Sequence, residues 1–369
     1  MRVLQLGKFY PIKGGVEKVM YDLTVGLSEN DIYTDMLCAS NTNNRIELSL
    51  NSKSKINARK TLCILFSTYI SIDLIVHLRK HCNNYDIIHV HHPDPMAALA
   101  LFFSGYRGKV VLHWHSDIVS QKIMLMVYKP LQSWLLKRSN KIVGTTPVYL
   151  KNSSDLKNFL NKSVSIPIGI DKVEYSYDQV LELRKTYNNK FIIFSLGRLV
   201  EYKGFDYLIE SAKYLDDKYI ILIGGDGPLK EKLNDKIKSN NLQEKVILLG
   251  RLNDDEVKTY YGLCDVFCLS SIMKTEAFGI VQIEAMSCGK PVVATNIIGS
   301  GVSWVNSHLN SGINVEPMDS QGLANAFISL STNTYSFNSY KANSLERYNK
   351  LFRKESMIDS CIKLYKSIL

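Results

Sequence analysis

Short apolar runs alternate along this chain with longer segments of helical periodicity, and few architectures accommodate that alternation. A strand, a helix and a second parallel strand form a right-handed crossover unit, and repeating the unit builds an open parallel sheet covered on both faces. Strand candidates in the first half lie at 3–6, 34–39, 87–91, 110–114, 142–145 and 164–166. The first connecting helix is the clearest, with Val16, Val19, Met20, Leu23 and Leu27 in one stripe directly after Gly14-Gly15. Pro167-Ile168-Gly169-Ile170-Asp171 and the polar stretch to Lys190 break the pattern. Fresh strands follow at 191–196, 219–223, 246–249, 266–269 and 292–294, with helices near 205–214, 229–239 and 280–287. The expectation is an α/β protein of two Rossmann-like, doubly wound domains, 1–168 and 169–350. A polar interval around 332–344 precedes a last helix near 353–368, and the segment 351–369 is expected to fold back on the first domain.

Two domains also suit a chain of 369 residues, which exceeds what one hydrophobic core usually serves. The longest uninterrupted apolar stretch, 96–103, falls far short of the roughly 18 residues of a membrane span. The N-terminus reads directly as a strand with no apolar signal core, so a cytoplasmic location is expected. Seven cysteines scattered from Cys38 to Cys361 form no disulfide framework, and Cys264 and Cys268 lack the spacing of a zinc knuckle.

The net charge of +10 is unevenly placed. Residues 1–168 hold 21 Lys+Arg against 11 Asp+Glu, whereas residues 169–369 hold 24 of each. Arg107, Lys109, Lys122, Lys129, Lys137, Arg138, Lys141, Lys151, Lys157 and Lys162 face only Asp117 and Asp155 in their stretch. Such a block suits an anionic surface, and a membrane rather than a nucleic acid is the expected partner. Segment 121–141 mixes these bases with apolar residues; it reads first as a core-packed helix pair broken at Pro130, and second as a membrane contact.

Three features at the carboxyl ends of predicted strands suit phosphate or sugar. Lys13-Gly14-Gly15-Val16-Glu17 opens a helix, where amides and dipole can meet an anion, although an empty glycine cap reads equally well. Gly197-Arg198-Leu199-Val200-Glu201-Tyr202-Lys203-Gly204 places two cations in one loop, fit to clamp a diphosphate or simply to be solvated. Glu276 and Glu284 straddle a helix start in Thr275-Glu276-Ala277-Phe278-Gly279-Ile280-Val281-Gln282-Ile283-Glu284. Carboxylates accept hydroxyl hydrogen bonds, and the amides of Phe278, Gly279 and Ile280 can face phosphate.

Taken in order, Gly14-Gly15, Ile166-Pro167-Ile168-Gly169-Ile170-Asp171, Arg198 to Lys203, Gly224-Gly225-Asp226-Gly227-Pro228, and Glu276 to Glu284 with Gly289-Lys290-Pro291-Val292-Val293-Ala294 closely resemble glycosyltransferase family 4. Trp114-His115-Ser116-Asp117-Ile118-Val119, Leu252-Asn253-Asp254-Asp255-Glu256 and Gly299-Ser300-Gly301-Val302-Ser303 look like bacterial O-antigen glycosyltransferases, including mannosyltransferases. The resemblance implies the GT-B fold and retaining transfer from a sugar nucleotide, without metal or cofactor, to a polyprenyl-diphosphate-linked saccharide. The partition of charge leads to the expectation of a peripheral position on the inner face of the cytoplasmic membrane, where such an acceptor would be found. Arg198 and Lys203 would bind the donor diphosphate, Glu276 the sugar hydroxyls and Glu284 the ribose. Gly14, Gly15, Phe278, Gly279 and Ile280 would complete the phosphate and sugar contacts. Arg251 and Leu252 would lie near the base, and His115 near the sugar's C6 hydroxyl. Gln282 departs from the family, which usually has an apolar residue there.

Competing readings attach to other residues. His89, His91 and His92 alternate on a strand and invite a metal, but no partner at metal-site spacing accompanies them, so they are expected to end a strand near the acceptor. Asn253-Asp254-Asp255-Glu256 reads as a helix cap rather than a magnesium site. Two other functions fit the outline, a sugar-nucleotide epimerase of similar fold and a non-catalytic membrane-associated scaffold. The paired glutamates argue against the first, and the intact Arg198, Lys203, Glu276 and Glu284 against the second.

Overall fold

The computed structural model describes residues 1–65, 68–118, 122–188 and 190–369, and for 122–125 the backbone alone. The chain divides into two compact units, Met1–Gly169 joined by Lys354–Leu369, and Ile170–Arg353.

In the first unit, β1 (Arg2–Tyr10), β2 (Tyr33–Ser40), β3 (Ile46–Asn51), β4 (Ser54–Arg59), β5 (Cys63–Leu65), β6 (Thr68–Ile70), β7 (Ile87–His92), β8 (Lys109–Trp114), β9 (Lys141–Gly144) and β10 (Ser163–Ser165) follow in chain order. All except the β5–β6 hairpin join one sheet, in the order β10-β9-β8-β7-β1-β2-β4-β3. Its pairings are parallel apart from β3 with β4. Helices α1 (Gly15–Glu29), α2 (Ile72–His81), α3 (Pro95–Ser104), α4 (Lys122–Arg138) and α5 (Pro147–Asn152) connect the strands. Parallel strands buried on both faces need continuous apolar runs, and Val3, Leu4, Leu6, Ile87, Ile88, Val90, Val110, Val111 and Leu112 are all enclosed.

The second unit carries β11 (Phe191–Leu196), β12 (Tyr219–Gly224), β13 (Val246–Gly250), β14 (Val266–Leu269), β15 (Val292–Thr295) and β16 (Gly312–Val315) in a wholly parallel sheet of order β13-β12-β11-β14-β15-β16. Around it stand α6 (Tyr177–Lys185), α7 (Phe205–Ser211), α8 (Lys230–Ser239), α9 (Asp254–Leu263), α10 (Ile280–Ser287), α11 (Val302–Val305), α12 (Ser320–Thr332) and α13 (Thr334–Leu351). The last helix, α14 (Lys354–Lys366), belongs to the first unit and packs on α1, where Gly26 admits the Ile358 side chain.

Three local expectations change. The polar interval at 332–344 is helical: α12 and α13 are separated by Asn333, whose side chain caps α13 by accepting from the Ser336 amide at 3.0 Å. Its polarity belongs to a largely exposed face, with Ser344 and Tyr348 buried beneath. Pro130 does not split its segment, because α4 runs through it; Val119 and Gln121 lie outside the described residues. The β3–β4 hairpin, absent from the sequence reading, forms the sheet's edge, and its polar, exposed outer strand hides the usual apolar signature.

Candidate active site

Sheet order in the second unit reverses between β11 and β14. Loops leaving the carboxyl ends of these strands diverge and open a crevice, the position at which open α/β sheets bind ligands. Gly197, Arg198 and Lys203 follow β11, while Ser270, Ser271 and Glu276 follow β14. Lys203 Nζ meets Glu276 Oε2 at 2.5 Å, with both side chains only 12% exposed. Ser271 Oγ donates to the same carboxylate oxygen at 3.0 Å, and Ser270 Oγ donates to the Lys203 carbonyl at 3.0 Å. Arg198, in the same loop, is exposed; its carbonyl accepts from the Val200 amide at 2.8 Å, while its guanidinium makes no hydrogen bond or ion pair among the described residues.

Two glycines let the loops approach. Gly204 has φ +66°, and a Cβ there would stand 2.1 Å from the Ser270 carbonyl oxygen. Gly225 has φ +136°, and its Cβ would stand 1.9 Å from the Gly197 carbonyl oxygen. The Gly224-Gly225-Asp226-Gly227-Pro228 turn thus packs directly against the loop that carries Arg198.

Glu276 is also fastened through its backbone. Ser300 Oγ donates to its carbonyl, and the Gly301 amide donates to the Ala277 carbonyl at 2.9 Å. Gly279, at φ +76°, starts α10, and the buried Gln282 donates back to the Phe278 carbonyl at 3.0 Å. That bond accounts for an amide where an apolar residue was expected: it closes the turn carrying Phe278, Gly279 and Ile280. One turn further on, Glu284 accepts from the Tyr261 hydroxyl at 2.6 Å. Burial pushes the Glu284 carboxyl above its usual range and the Tyr261 phenol well above its own.

Arg251 and Leu252 line an open groove of about 1130 Å³ with Asn253, Asp254, Asp255, Glu256, Tyr260 and residues of α6. Neither Lys203 nor Glu276 borders this groove, so the candidate site is marked by the ion pair and the sheet reversal rather than by the concavity. Asn253 and Glu256 form a reciprocal capping box at α9, which explains the acidic run without a metal.

The first unit reverses its sheet order between β1 and β7. Gly14 caps α1 there, and the buried Glu17 carboxylate folds over it, 2.3 Å from where a Cβ would lie. A side-chain anion thus already occupies the neighbourhood of the helix N-terminus that was expected to meet phosphate. His89, His91, His92, His113 and His115 are all buried, His115 at 5% exposure. Burial holds all five below the usual histidine range, His113 at about 3, so the rings are neutral at neutral pH. His91, His113 and His115 bring one nitrogen each within 4.8 Å of one another. The rings lie nearly parallel, however, at 9° for His113 with His115 and 15° for His91 with His115. A metal needs in-plane lone pairs that converge on one point, whereas His91 Nδ1 and His115 Nε2 are hydrogen-bonded to each other at 2.9 Å.

Comparison with known proteins adds the decisive observation. Residues 13–173 match the model of Glycosyltransferase Family 4, and residues 181–350 that of Glycosyl transferases group 1. The chain is 31% identical to the O-antigen chain mannosyltransferase C of Escherichia coli, covering 100% of this chain and 99% of that protein. This chain belongs to glycosyltransferase family 4. It is also 29% identical to the D-rhamnosyltransferase WbpZ of Pseudomonas aeruginosa, over 95% of this chain and 92% of that one. The crystal structure of Anabaena HepE in complex with UDP shares the fold, with a TM-score of 0.79, 20% identity and full coverage of both chains. The expected GT-B fold is therefore established, with two parallel α/β units, and the chain is a glycosyltransferase.

Among the residues that family membership nominated, the structure gathers Lys203, Glu276 and Arg198 at one sheet reversal and places Glu284 on the helix that follows. Arg251 and Leu252 stand in the neighbouring groove, while Gly14, Gly15 and His115 belong to the other unit. Ser271 and Tyr261, the partners of Glu276 and Glu284, escaped the sequence reading, as did Gln5, His113 and Tyr365. The polar Ser270-Ser271 pair directly after an apolar strand was the available signal for the first.

Proposed function

We propose that this family 4 glycosyltransferase moves a hexose from GDP-mannose or a UDP-hexose, with retention of anomeric configuration, to a polyprenyl-diphosphate-linked saccharide of a surface polysaccharide. The observation that carries the donor half is the Lys203–Glu276 pair at the sheet reversal, with Arg198 exposed beside it. A donor diphosphate offers Lys203 and Arg198 the negative charge that Glu276 now supplies, freeing the carboxylate to accept sugar hydroxyls. One locus thus holds the leaving group and the reacting sugar. In the reaction the bond from the anomeric carbon to the phosphate oxygen breaks and the bond to the acceptor oxygen forms. The departing phosphate takes the acceptor's proton, and Lys203 and Arg198 meet its charge in place of a metal.

The lipid-linked acceptor is supported by the O-antigen naming of the Escherichia coli relative and by one face of the first unit. The helices α2, α3 and α4 pack side by side, with the β5–β6 hairpin against α3. They expose Ile64, Leu65, Ile72, Val76, Phe102 and Phe103, along with Met126 and Val127 at 76% and 73%. Of the bases named for docking, Lys129 pairs with Asp155, and Arg138 donates to the carbonyls of Tyr106 and Gly108 at 3.0 and 2.7 Å. The Lys122 side chain lies outside the described residues. Exposed Arg79, Lys80, Arg107 and Lys137 take over that part beside the apolar residues. No helix among the described residues is long and apolar enough to cross a membrane, so this face would lie on the surface of an anionic leaflet.

A thermal-shift panel of GDP-, UDP- and TDP-sugars in EDTA tests the donor reading, since a ligand that binds only the folded state raises Tm. One nucleotide sugar is expected to raise Tm in the wild type and to lose most of that effect in Lys203→Ala/Arg198→Ala. No shift with any donor, or a shift that appears only when a divalent metal is restored, would contradict the metal-free site.

A further inference from the structure

The face of the β1, β7 and β8 strands that carries His89, His91 and His113 holds a continuous chain of buried hydrogen bonds that no transfer step described above uses. Gln5 stands at its centre. Gln5 Oε1 lies 2.8 Å from His91 Nε2, and His91 Nδ1 lies 2.9 Å from His115 Nε2. On its other side Gln5 Nε2 donates to the Tyr365 hydroxyl at 3.4 Å, and that hydroxyl lies 2.6 Å from His89 Nδ1. Gln5, His89, His91 and Tyr365 are fully buried.

A neutral imidazole has one donor and one acceptor nitrogen, so each bond in such a chain dictates the next. An amide oxygen only accepts, and His91 must therefore carry its proton on Nε2. Its Nδ1 is then an acceptor, which requires His115 to carry its proton on Nε2. The Tyr365 hydroxyl, receiving from the Gln5 amide, gives its own proton to His89 Nδ1, so His89 is also protonated on Nε2. His115 Nδ1 is left as a bare lone pair, and that buried atom has no hydrogen-bond partner among the described residues.

We propose that Gln5 is a positioning residue whose amide sets the tautomers of His91 and His115, holding His115 Nδ1 as an acceptor for a hydroxyl of a saccharide bound by the first unit. A buried lone pair without a partner costs free energy, and a donated hydroxyl would remove that cost. The chain also gives α14 a function, because Tyr365 brings the far end of the sequence to the strand that begins it. The hydroxyl ligand rests on the transferase reading, whereas the tautomers follow from the hydrogen bonds alone.

Nitrogen-15 NMR of the full-length protein, with histidine ring nitrogens labelled and assigned by single His→Gln variants, reads each tautomer directly. The wild type is expected to show Nε2–H forms at His89, His91 and His115. Tyr365→Phe should release His89 into mixed tautomers while His91 and His115 stay fixed. Gln5→Met should instead release His91 and His115. If the donor is bound and turned over as proposed, Gln5→Met should also lower kcat/KM by about tenfold, the worth of one hydrogen bond to substrate. An Nδ1–H form at His115 in the wild type, or a His115 tautomer indifferent to Gln5→Met, would overturn the proposal. Should Gln5→Met fail to fold, the wild-type and Tyr365→Phe spectra still decide it. Correct tautomers with no transfer from any sugar nucleotide would fault the transferase reading instead.

Discussion

Glu276 and Lys203 neutralise each other in a setting that leaves both only slightly exposed, so either one alone would be a poorly solvated charge. Their meeting depends on Gly204, whose positive φ and contact with the Ser270 carbonyl leave no space for a side chain. Gly204→Ala should therefore lower Tm by about 2–12 °C, the range expected for strain of about 1–3 kcal/mol in a unit of this size. It should also weaken donor binding, because the carbonyl it displaces follows β14 beside Ser271. An unchanged Tm with full donor binding would show that the loop relaxes freely. Both members of the pair stand out in the sequence by charge and by glycine context. Their contact does not, because 73 residues separate them and local pattern carries no information on which strands become neighbours. His115 illustrates the opposite case, since its motif was plain but its hydrogen-bond partner, His91, and the Gln5 beyond it emerge only from sheet pairing.

The elements themselves were largely legible, because the parallel strands are buried on both faces and so appear as uninterrupted apolar runs. Where an element has a polar outer face the signal fails, as at β3 and in α13. The helices α2, α3 and α4 are the converse, presenting apolar side chains outward where core packing alone would call for polar ones. If that face meets a bilayer, the protein should sediment with anionic vesicles and not with neutral ones. Phe102→Ser/Phe103→Ser should reduce the bound fraction even at low salt. Replacing Arg79, Lys80, Arg107 and Lys137 with Ser should reduce it further, since each base near an anionic leaflet is worth about 1 kcal/mol. Equal binding to both vesicle types would leave the bases without a part, and no binding to either would remove the membrane from the account.

At the level of the whole molecule, the charge excess and the proposed donor site fall in different units. The strong excess of positive charge lies before residue 169, whereas the Lys203–Glu276 pair belongs to a unit whose charges nearly balance. That division suits an enzyme taking a soluble donor in one unit and an anionic, lipid-linked acceptor through the other. It also separates two kinds of failure, because a variant of the pair should spare vesicle binding and a variant of the apolar face should spare donor binding. The most direct test is transfer of radiolabelled hexose, from the donor that the thermal-shift panel identifies, to a polyprenyl-diphosphate oligosaccharide by the wild type and by Glu276→Gln. With Lys203 deprived of its carboxylate and the sugar hydroxyls left with a neutral amide oxygen in place of a charged acceptor, turnover should fall about 10²-fold or more. The unliganded Tm should change little, and the donor-induced shift should persist in part. Wild-type turnover by Glu276→Gln, under conditions where it binds the donor normally, would contradict the assignment of the reaction to this pair.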